Sequence, residues 1–358
     1  MRDCGTVPCF ESTLVIWRIN MADMIRVAVD AMGGDNGVVE MVKGAVEAIK
    51  IHKDVVVVLV GLKESIETEL AKYDGYDKSR VEIVNATENI DCHEAPVAAI
   101  KKKKDSSIVV GLNQVKSGAA DCMVSAGSSG ALFAGAITIV GRIKGVERTP
   151  FAPIIPTMNG SSLIVDSGAN VDAKPSQLVQ YARMGSIYFE KMLGVKNPRV
   201  GIVNVGAEEE KGNALVKETF PLLKECKDIN FIGSVEARDI PYGACDVIVC
   251  DAFVGNVILK LYEGTAGALM KMVKKSMMSN LRSKIGAMLV KPALKNTMSS
   301  LTSGEYGGAP FLGLNGLVVK IHGSSKAVDM KIAIGQCIEF KKNNITELIK
   351  EKISPKAE

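Results

Sequence analysis

Histidine is scarce in this chain, with only His52, His93 and His322 among 358 residues. No H-E-x-x-H run or other ligand-spaced cluster includes them, which argues against a zinc centre. Neither a Ser-His nor a Cys-His nucleophile pair is evident, so acyl-enzyme chemistry of the protease type has no visible starting point. The eight cysteines contain no C-x-x-C pair, and several sit inside apolar strand-like runs. They read as reduced, small core residues rather than as a disulfide framework. Net charge is only +4 and is not gathered into a tail, so no dedicated nucleic-acid surface is expected. No apolar run approaches the length of a membrane span, and Leu14 to Trp17 is too short for a signal-peptide core. A cytoplasmic protein is expected. Residues 1–23 lack a clear period and hold the only tryptophan, Trp17. Met21 and Met24 both precede the first convincing strand, and residues 1–23 are expected to lie outside the fold, as an added or mis-assigned start.

What the sequence has in quantity is strand, glycine turn and helix in repetition. Ile25 to Asp30 is a β-branched run ending on an acid, followed by AMGGDNG and a helical period from Val38 to Ile49. The glycines there miss the G-x-G-x-x-G spacing, and no acid-ending strand follows where a ribose would need one; dinucleotide binding loses support. Val55 to Val60 is the continuous valine run of a strand covered on both faces. Further strands are predicted at Val81 to Asn85, Ser162 to Asp166, Val200 to Val205, Phe231 to Val235, Asp246 to Asp251 and Leu317 to His322. Such alternation predicts an α/β fold with a doubly wound, mostly parallel sheet in three α/β/α layers. Residues 24–358 are read as one catalytic domain.

In that fold the polar groups after each strand converge on one edge, where open α/β sheets bind ligands. The stretch Asp121 to Gly135, DCMVSAGSSGALFAG, is the fullest example: a buried strand, a turn of small residues and a new helix. First-turn amides and the hydroxyls of Ser125, Ser128 and Ser129 form a candidate phosphate cradle, with Gly127 allowing close approach. The same residues also suit a plain helix cap and tight turn. Gly33 and Gly34 form a second glycine turn after the first strand. Other strand ends offer Lys174, Asn204, Lys211, Asp251, Asn256, Lys260 and His322. Arg142, Lys144 and Arg148 cluster beside a Pro-containing segment, as a candidate anion or carrier-protein contact or as ordinary surface charge.

Residues 264–304 break the alternation. They contain no acid, seven lysines and arginines and six methionines. Leu269, Met272, Leu281, Ile285, Met288 and Leu289 fall at helical spacing among them. A basic amphipathic helical excursion is predicted, and three uses compete for it: a subunit interface, docking on an anionic membrane, and contact with an acidic protein.

Eight motifs, in order, carry a family resemblance: DAMGGDN from Asp30, SAGSSGAL from Ser125, RIKGVER from Arg142, DSGANVDAKPSQLVQYARMGSIY from Asp166, NVGAEEEKGN from Asn204, RDIPYG from Arg238, CDAFVGNVILK from Cys250 and EYGGAPFLGLNG from Glu305. Over Met24 to about Ile338 the chain resembles the bacterial phosphate acyltransferases that use acyl carrier protein. The resemblance implies transfer of a fatty acyl group from that carrier to inorganic phosphate, giving acyl phosphate for phospholipid synthesis. It also implies a fold similar to phosphotransacetylases and to isocitrate and isopropylmalate dehydrogenases, a homodimer, no cofactor, and peripheral contact with the membrane and with a downstream glycerol-3-phosphate acyltransferase. Two positions depart from the family pattern. Ser128-Ser129 stands where Asn-Thr is usual, and Ala252 follows Asp251 where Gly is usual.

The chemistry of the reaction suits these parts. Phosphate is already a partly ionised oxygen nucleophile, so the site must hold the dianion, orient it and stabilise the oxyanion and departing thiolate. On that reading Gly33, Gly34, Ser125, Gly127, Ser128 and Ser129 hold phosphate. Lys174, Asn204, Lys211, Asn256 and Lys260 steady charge, while Asp251 or His322 orients them or handles a proton. An acyl-coenzyme A donor and a fold-related dehydrogenase are the alternatives.

Overall fold

Alternating strand residues divide between two hydrophobic clusters, and this sets the layer order. In the computed structural model the described residues are 24–300, with side chains to 291, and 307–353. The predicted 1–23 extension and residues 301–304 of the excursion lie outside them. The strands are β1 (Ile25–Asp30), β2 (Val55–Gly61), β3 (Val81–Asn85), β4 (Cys122–Ser125), β5 (Ile154–Thr157), β6 (Gly160–Val165), β7 (Arg199–Asn204), β8 (Asn230–Glu236), β9 (Val247–Val249), β10 (Ala309–Phe311) and β11 (Leu317–Lys320). The helices are α1 (Gly37–Ile51), α2 (Lys63–Leu70), α3 (Pro96–Lys102), α4 (Ser107–Ser117), α5 (Ser129–Gly135), α6 (Pro175–Leu193), α7 (Ala214–Glu225), α8 (Ala252–Met277), α9 (Leu281–Ser300), α10 (Ala327–Lys342) and α11 (Ile345–Ile353).

The expected mostly parallel, doubly wound architecture is present, and its strands are distributed over two sheets. The first runs β10-β11-β4-β1-β2-β3 and the second β5-β6-β9-β7-β8. Only β10 and β5, the first strand in each order, pair antiparallel. Neither is among the predicted strands: APF and IIPT are short and contain proline, which belongs at a sheet edge.

Val27 and Val29 of β1 and Val55, Val57 and Leu59 of β2 face a cluster that also holds Leu163 and Val165 of β6 and Val200 of β7. One core therefore lies between both sheets, filled by α1, α6, α10 and α11. The opposite-facing Ala28, Val58 and Val60 pack on α3, α4 and α5. Ile164 and Ile248 of the second sheet face a smaller cluster that takes in the start of α8. This two-sided burial explains the unbroken valines of β2, where all seven residues are buried.

Winding in the first sheet reverses at one place. From β1 the chain moves outward through β2 to β3, then returns to lay β4 on the other side of β1. The gap between the carboxyl ends of β1 and β4 is thus the crevice at which open α/β sheets take ligands.

The predicted excursion is two helices. Of the 26 residues of α8, only Ala252 and Gly255, at its start, are buried, and Tyr262 Oη anchors the helix to the Pro156 carbonyl at 2.6 Å. Beyond that anchor Leu269, Met272, Leu281, Ile285, Met288 and Leu289 are all exposed. No helix among the described residues is long and apolar enough to cross a membrane.

Candidate active site

Three turns meet where the first sheet reverses. Asp30, at the end of β1, is fully buried, and Ser125 at the end of β4 donates its hydroxyl to Asp30 Oδ2 at 2.6 Å. Ser125 Oγ in turn accepts the Gly127 amide at 3.0 Å, and Asp30 Oδ1 accepts the Met32 amide at 3.1 Å. Burial pushes the Asp30 carboxyl pKa up, and the Ser125 hydroxyl pulls against that shift. A side chain on Gly33 would meet Asp30 Oδ2 and the Gly127 amide nitrogen, each at 2.6 Å, so the two glycine turns are pressed together. Gly34 has φ +84°, and its Cβ position lies 2.7 Å from the Gly323 carbonyl of the third turn. The Asp35 amide donates to that same carbonyl at 2.8 Å.

Ser128 caps α5 by accepting the Ala131 amide at 3.4 Å, a long bond, and is itself buried. Ser129, one residue on, is exposed at the start of α5. The cap reading of the SSG stretch therefore holds for Ser128, while Ser125 belongs to the strand-end network with Asp30.

Sequence reasoning passed over Lys320, the last residue of β11. Its side chain is 8 % exposed, and its ammonium donates to the Ala126 carbonyl at 3.1 Å and to the Ile321 carbonyl. Burial lowers its pKa to about 8, against the raising influence of Cys92, Asp30 and Asp35. The signal was present in the sequence: a lysine inside the apolar run LVVKI has no solvent to reach. His322 is exposed, with Nδ1 2.7 Å from Ser324 Oγ.

The second sheet brings its own strand ends. Asp166, after β6, is buried and accepts the amides of Phe151 (2.9 Å), Gly168 (3.2 Å), Ala169 (3.1 Å) and Asn170 (2.8 Å) together with Asn170 Nδ2 (2.8 Å). Burial raises this carboxyl's pKa, and those donors oppose the rise. The loop's amides are consequently committed to an internal carboxylate. Asp251 accepts the Phe253 and Val254 amides at 2.9 and 3.0 Å and so caps α8. Asn256, one turn on, donates to the Ser167 carbonyl at 3.3 Å. Gly255 is needed because a Cβ there would collide with the Asp166 carbonyl.

An aromatic series joins the two groups. Phe133 on α5 lies 5.3 Å from Phe311 on β10, which lies 5.2 Å from Phe151 beside the Asp166 loop. Phe311 thus ties the α5 turn to the segment that holds Asp166, Asn256 and Asp251.

The profile of a family described as "Fatty acid synthesis protein" matches residues 25–348. A phosphate acyltransferase of Alkaliphilus oremlandii is 50% identical over 330 residues, covering 92% of this chain and 98% of its own. A putative phosphate acyltransferase of Clostridium perfringens is 48% identical over 333 residues, covering 93% and 98%. The chain belongs to the phosphate acyltransferase family. It is an acyl-transferring enzyme with phosphate as a substrate, of a family tied to fatty acid and phospholipid synthesis. Among solved structures it resembles a phosphotransacetylase from Streptococcus pyogenes, with TM-score 0.60 at 17% identity over 90% of this chain and 94% of that one. A branched-chain phosphotransacylase from Enterococcus faecalis gives 0.53 at 13% identity over 88% and 98%. These two likenesses concern the fold.

The predicted residues fall in five places. Gly33, Gly34, Ser125, Gly127, Ser128 and Ser129 gather at the reversal of the first sheet, with His322 in the adjoining turn. Asp251 and Asn256 gather at the Asp166 loop, and Lys260 follows one turn along α8, exposed. Asn204 and Lys211 occupy a third corner. Asn204 donates to the Lys211 carbonyl at 3.1 Å and to Ser234 Oγ at 3.0 Å, so its amide braces its own loop. Lys211 is exposed and paired with Glu208 at 2.8 Å. Lys174 is exposed at the start of α6, where its backbone amide donates to Gln177 Oε1 at 3.0 Å. Arg142, Lys144 and Arg148 are all exposed on one loop, with the Arg142 guanidinium folded onto the Glu147 carbonyl. Among the described residues no group of three or more His, Cys, Asp or Glu is placed to hold a metal ion.

Proposed function

We propose that the enzyme takes its acyl group from a fatty acyl thioester of acyl carrier protein and passes it to inorganic phosphate, releasing acyl phosphate for phospholipid synthesis. The observation that carries this reading is the Asp30-Ser125 network at the sheet reversal, which holds two glycine turns in contact. Backbone there can approach a small tetrahedral anion without side chains in the way.

A phosphate oxygen attacks the thioester carbonyl directly, and the carbon-sulfur bond then breaks to release the carrier thiol. Gly33, Gly34, Ser125, Gly127, Ser128 and Ser129 form the phosphate side of the site. Asn256 and Lys260, on the helix capped by Asp251, stabilise the oxyanion and the thiolate from the other side. Lys174, Asn204 and Lys211, at the remaining strand ends, add to the charge stabilisation, and His322 serves proton transfer at the rim. Both sheets contribute, so the described residues act as one catalytic unit. Arg142, Lys144 and Arg148 contact the acidic carrier. The projecting α8 and α9 serve a homodimer and an anionic membrane surface, bringing acyl phosphate to a downstream glycerol-3-phosphate acyltransferase.

The experiment is incubation of the full chain with long-chain acyl carrier protein and phosphate, with acyl phosphate measured with and without phosphate. Acyl-coenzyme A in a parallel arm separates the carrier-dependent reaction from a phosphotransacetylase-like one. Unchanged product formation in both Lys260→Ala and Ser128→Ala would sink this site map.

A further inference from the structure

The Lys320 ammonium stands at the junction of the three turns with its hydrogen-bonding capacity unfilled. An ammonium carries three donors and no acceptor. Two of those donors go to the Ala126 and Ile321 carbonyls. Among the described residues no carboxylate pairs with it, although the field of Asp30, Asp35 and Cys92 reaches it. Asp30 is engaged by Ser125 and the Met32 amide, and Asp35 is exposed. A lone cation 8 % exposed is costly to keep charged. Replacing Lys320 by an apolar residue would remove that cost, and what the amine gives the fold in return is its bonds to the Ala126 and Ile321 carbonyls.

The carbonyl partners fix where the amine sits. Ala126 lies between Ser125, which binds Asp30, and Gly127, which is pressed against Gly33; its Cβ is 2.8 Å from the position a Gly34 side chain would occupy. The Ile321 amide pairs with the Ser125 carbonyl at 3.0 Å, so β11 stays in register with β4 to the edge of the crevice.

We propose that Lys320 is the cation of the phosphate site, and that its third N–H binds an oxygen of a phosphate dianion seated over the Gly33-Gly34 and Ala126-Gly127 turns. This deepens the reading given above and rests on it for the identity of the reaction. The ligand chemistry is a tetrahedral oxyanion, either free phosphate or the phosphoryl end of the acyl phosphate product. The anion supplies the charge partner that the protein withholds, which favours the protonated amine when phosphate is bound.

The test uses the full chain and inorganic phosphate. Phosphate is expected to raise the thermal midpoint of the wild type, and Lys320→Met to weaken that response at least tenfold in phosphate concentration. In turnover the same variant should raise KM for phosphate at least tenfold and leave KM for the acyl donor unchanged; Lys320→Arg should recover part of the loss. A folded Lys320→Met with wild-type phosphate response overturns the proposal. Should that variant fail to fold, the wild type decides. Phosphate affinity must fall as pH rises through about 8, where the amine loses its proton. The fall must persist in Cys92→Ser, which removes the thiol whose field reaches the amine. Affinity independent of pH in that range overturns the proposal. Lys320-dependent phosphate binding without acyl phosphate formation would refute the reaction assigned above and leave the phosphate site standing.

Discussion

Ser125 hydrogen-bonds Asp30 at 2.6 Å across the line where the first sheet reverses its winding. The two residues are 95 positions apart, and both are fully buried. Their bond joins the turn after β1 to the turn after β4, while each side chain holds an amide of its own loop, Asp30 that of Met32 and Ser125 that of Gly127. Ser125→Ala removes the donor and leaves a buried carboxylate underfilled, at a cost of about 1–3 kcal/mol. Denaturant unfolding of that variant, with m unchanged, is the check; a loss under about 0.5 kcal/mol would contradict the linkage.

Asp30 also sets a pH dependence whose sign is fixed by burial. Its pKa is raised in the fold, so the native state holds the proton more tightly than the unfolded chain. The stability it contributes is present in acid and is lost as pH rises through the folded pKa. Asp30→Asn keeps the shape and abolishes the ionisation. The variant is expected to show a smaller loss of thermal midpoint than the wild type between mildly acidic and neutral pH, in parallel scans. A larger loss in the variant would reverse the assignment.

Gly33→Ala places a methyl group 2.6 Å from both Asp30 Oδ2 and the Gly127 amide nitrogen. Backbone lies on one side of that contact, so the loops must part. We expect destabilisation of about 1–3 kcal/mol and phosphate KM raised by at least an order of magnitude. Gly37→Ala, where the side chain would meet nothing within 4 Å, is the control: its positive φ strains the backbone without forcing the turns apart. Equal rises in KM for the two variants would show that crowding at Gly33 is not the cause.

The architecture was legible because its signals are local. The β2 valines, the acid-ended β1 and the glycine turns each follow from burial on two faces or from a left-handed φ, and each left its mark within a few residues. The division into two sheets was not legible, since the alternation of β and α is the same whether successive units join one sheet or two. Site residues were legible as types and not as roles. Asp251 was marked by its place after a strand, yet only the structure shows its oxygens taken by the Phe253 and Val254 amides. Asn204 likewise braces a loop that a sequence cannot fold. Lys320 was missed because its burial depends on β4, nearly two hundred positions earlier.

Asp251 offers a separation of structure from chemistry. As the cap of α8, its replacement by alanine should cost about 0.5–2 kcal/mol, and Asp251→Ser should restore most of that. If its work is to hold Asn256 and Lys260 in place, activity in the two variants will follow helix stability, with Asp251→Ser active. A stable but inactive Asp251→Ser would assign the carboxylate a direct part in proton transfer.

The exposed apolar residues of α8 and α9 make the last prediction. Leu269, Met272, Leu281, Ile285, Met288 and Leu289 are each at least half exposed, on helices whose charged residues up to 291 are, from Lys271 onward, all basic. An interfacial helix needs both apolar area and attraction to anionic lipid. Flotation with vesicles rich in anionic lipid should recover the wild type, and Leu281→Asp with Ile285→Asp should abolish recovery while phosphate-dependent turnover on soluble donor persists. Recovery should also fall with added salt, because the lysine contribution is screened over about 10 Å at moderate ionic strength. If flotation is unchanged in the double variant and its oligomeric state alone is altered, the helices serve the contact between subunits.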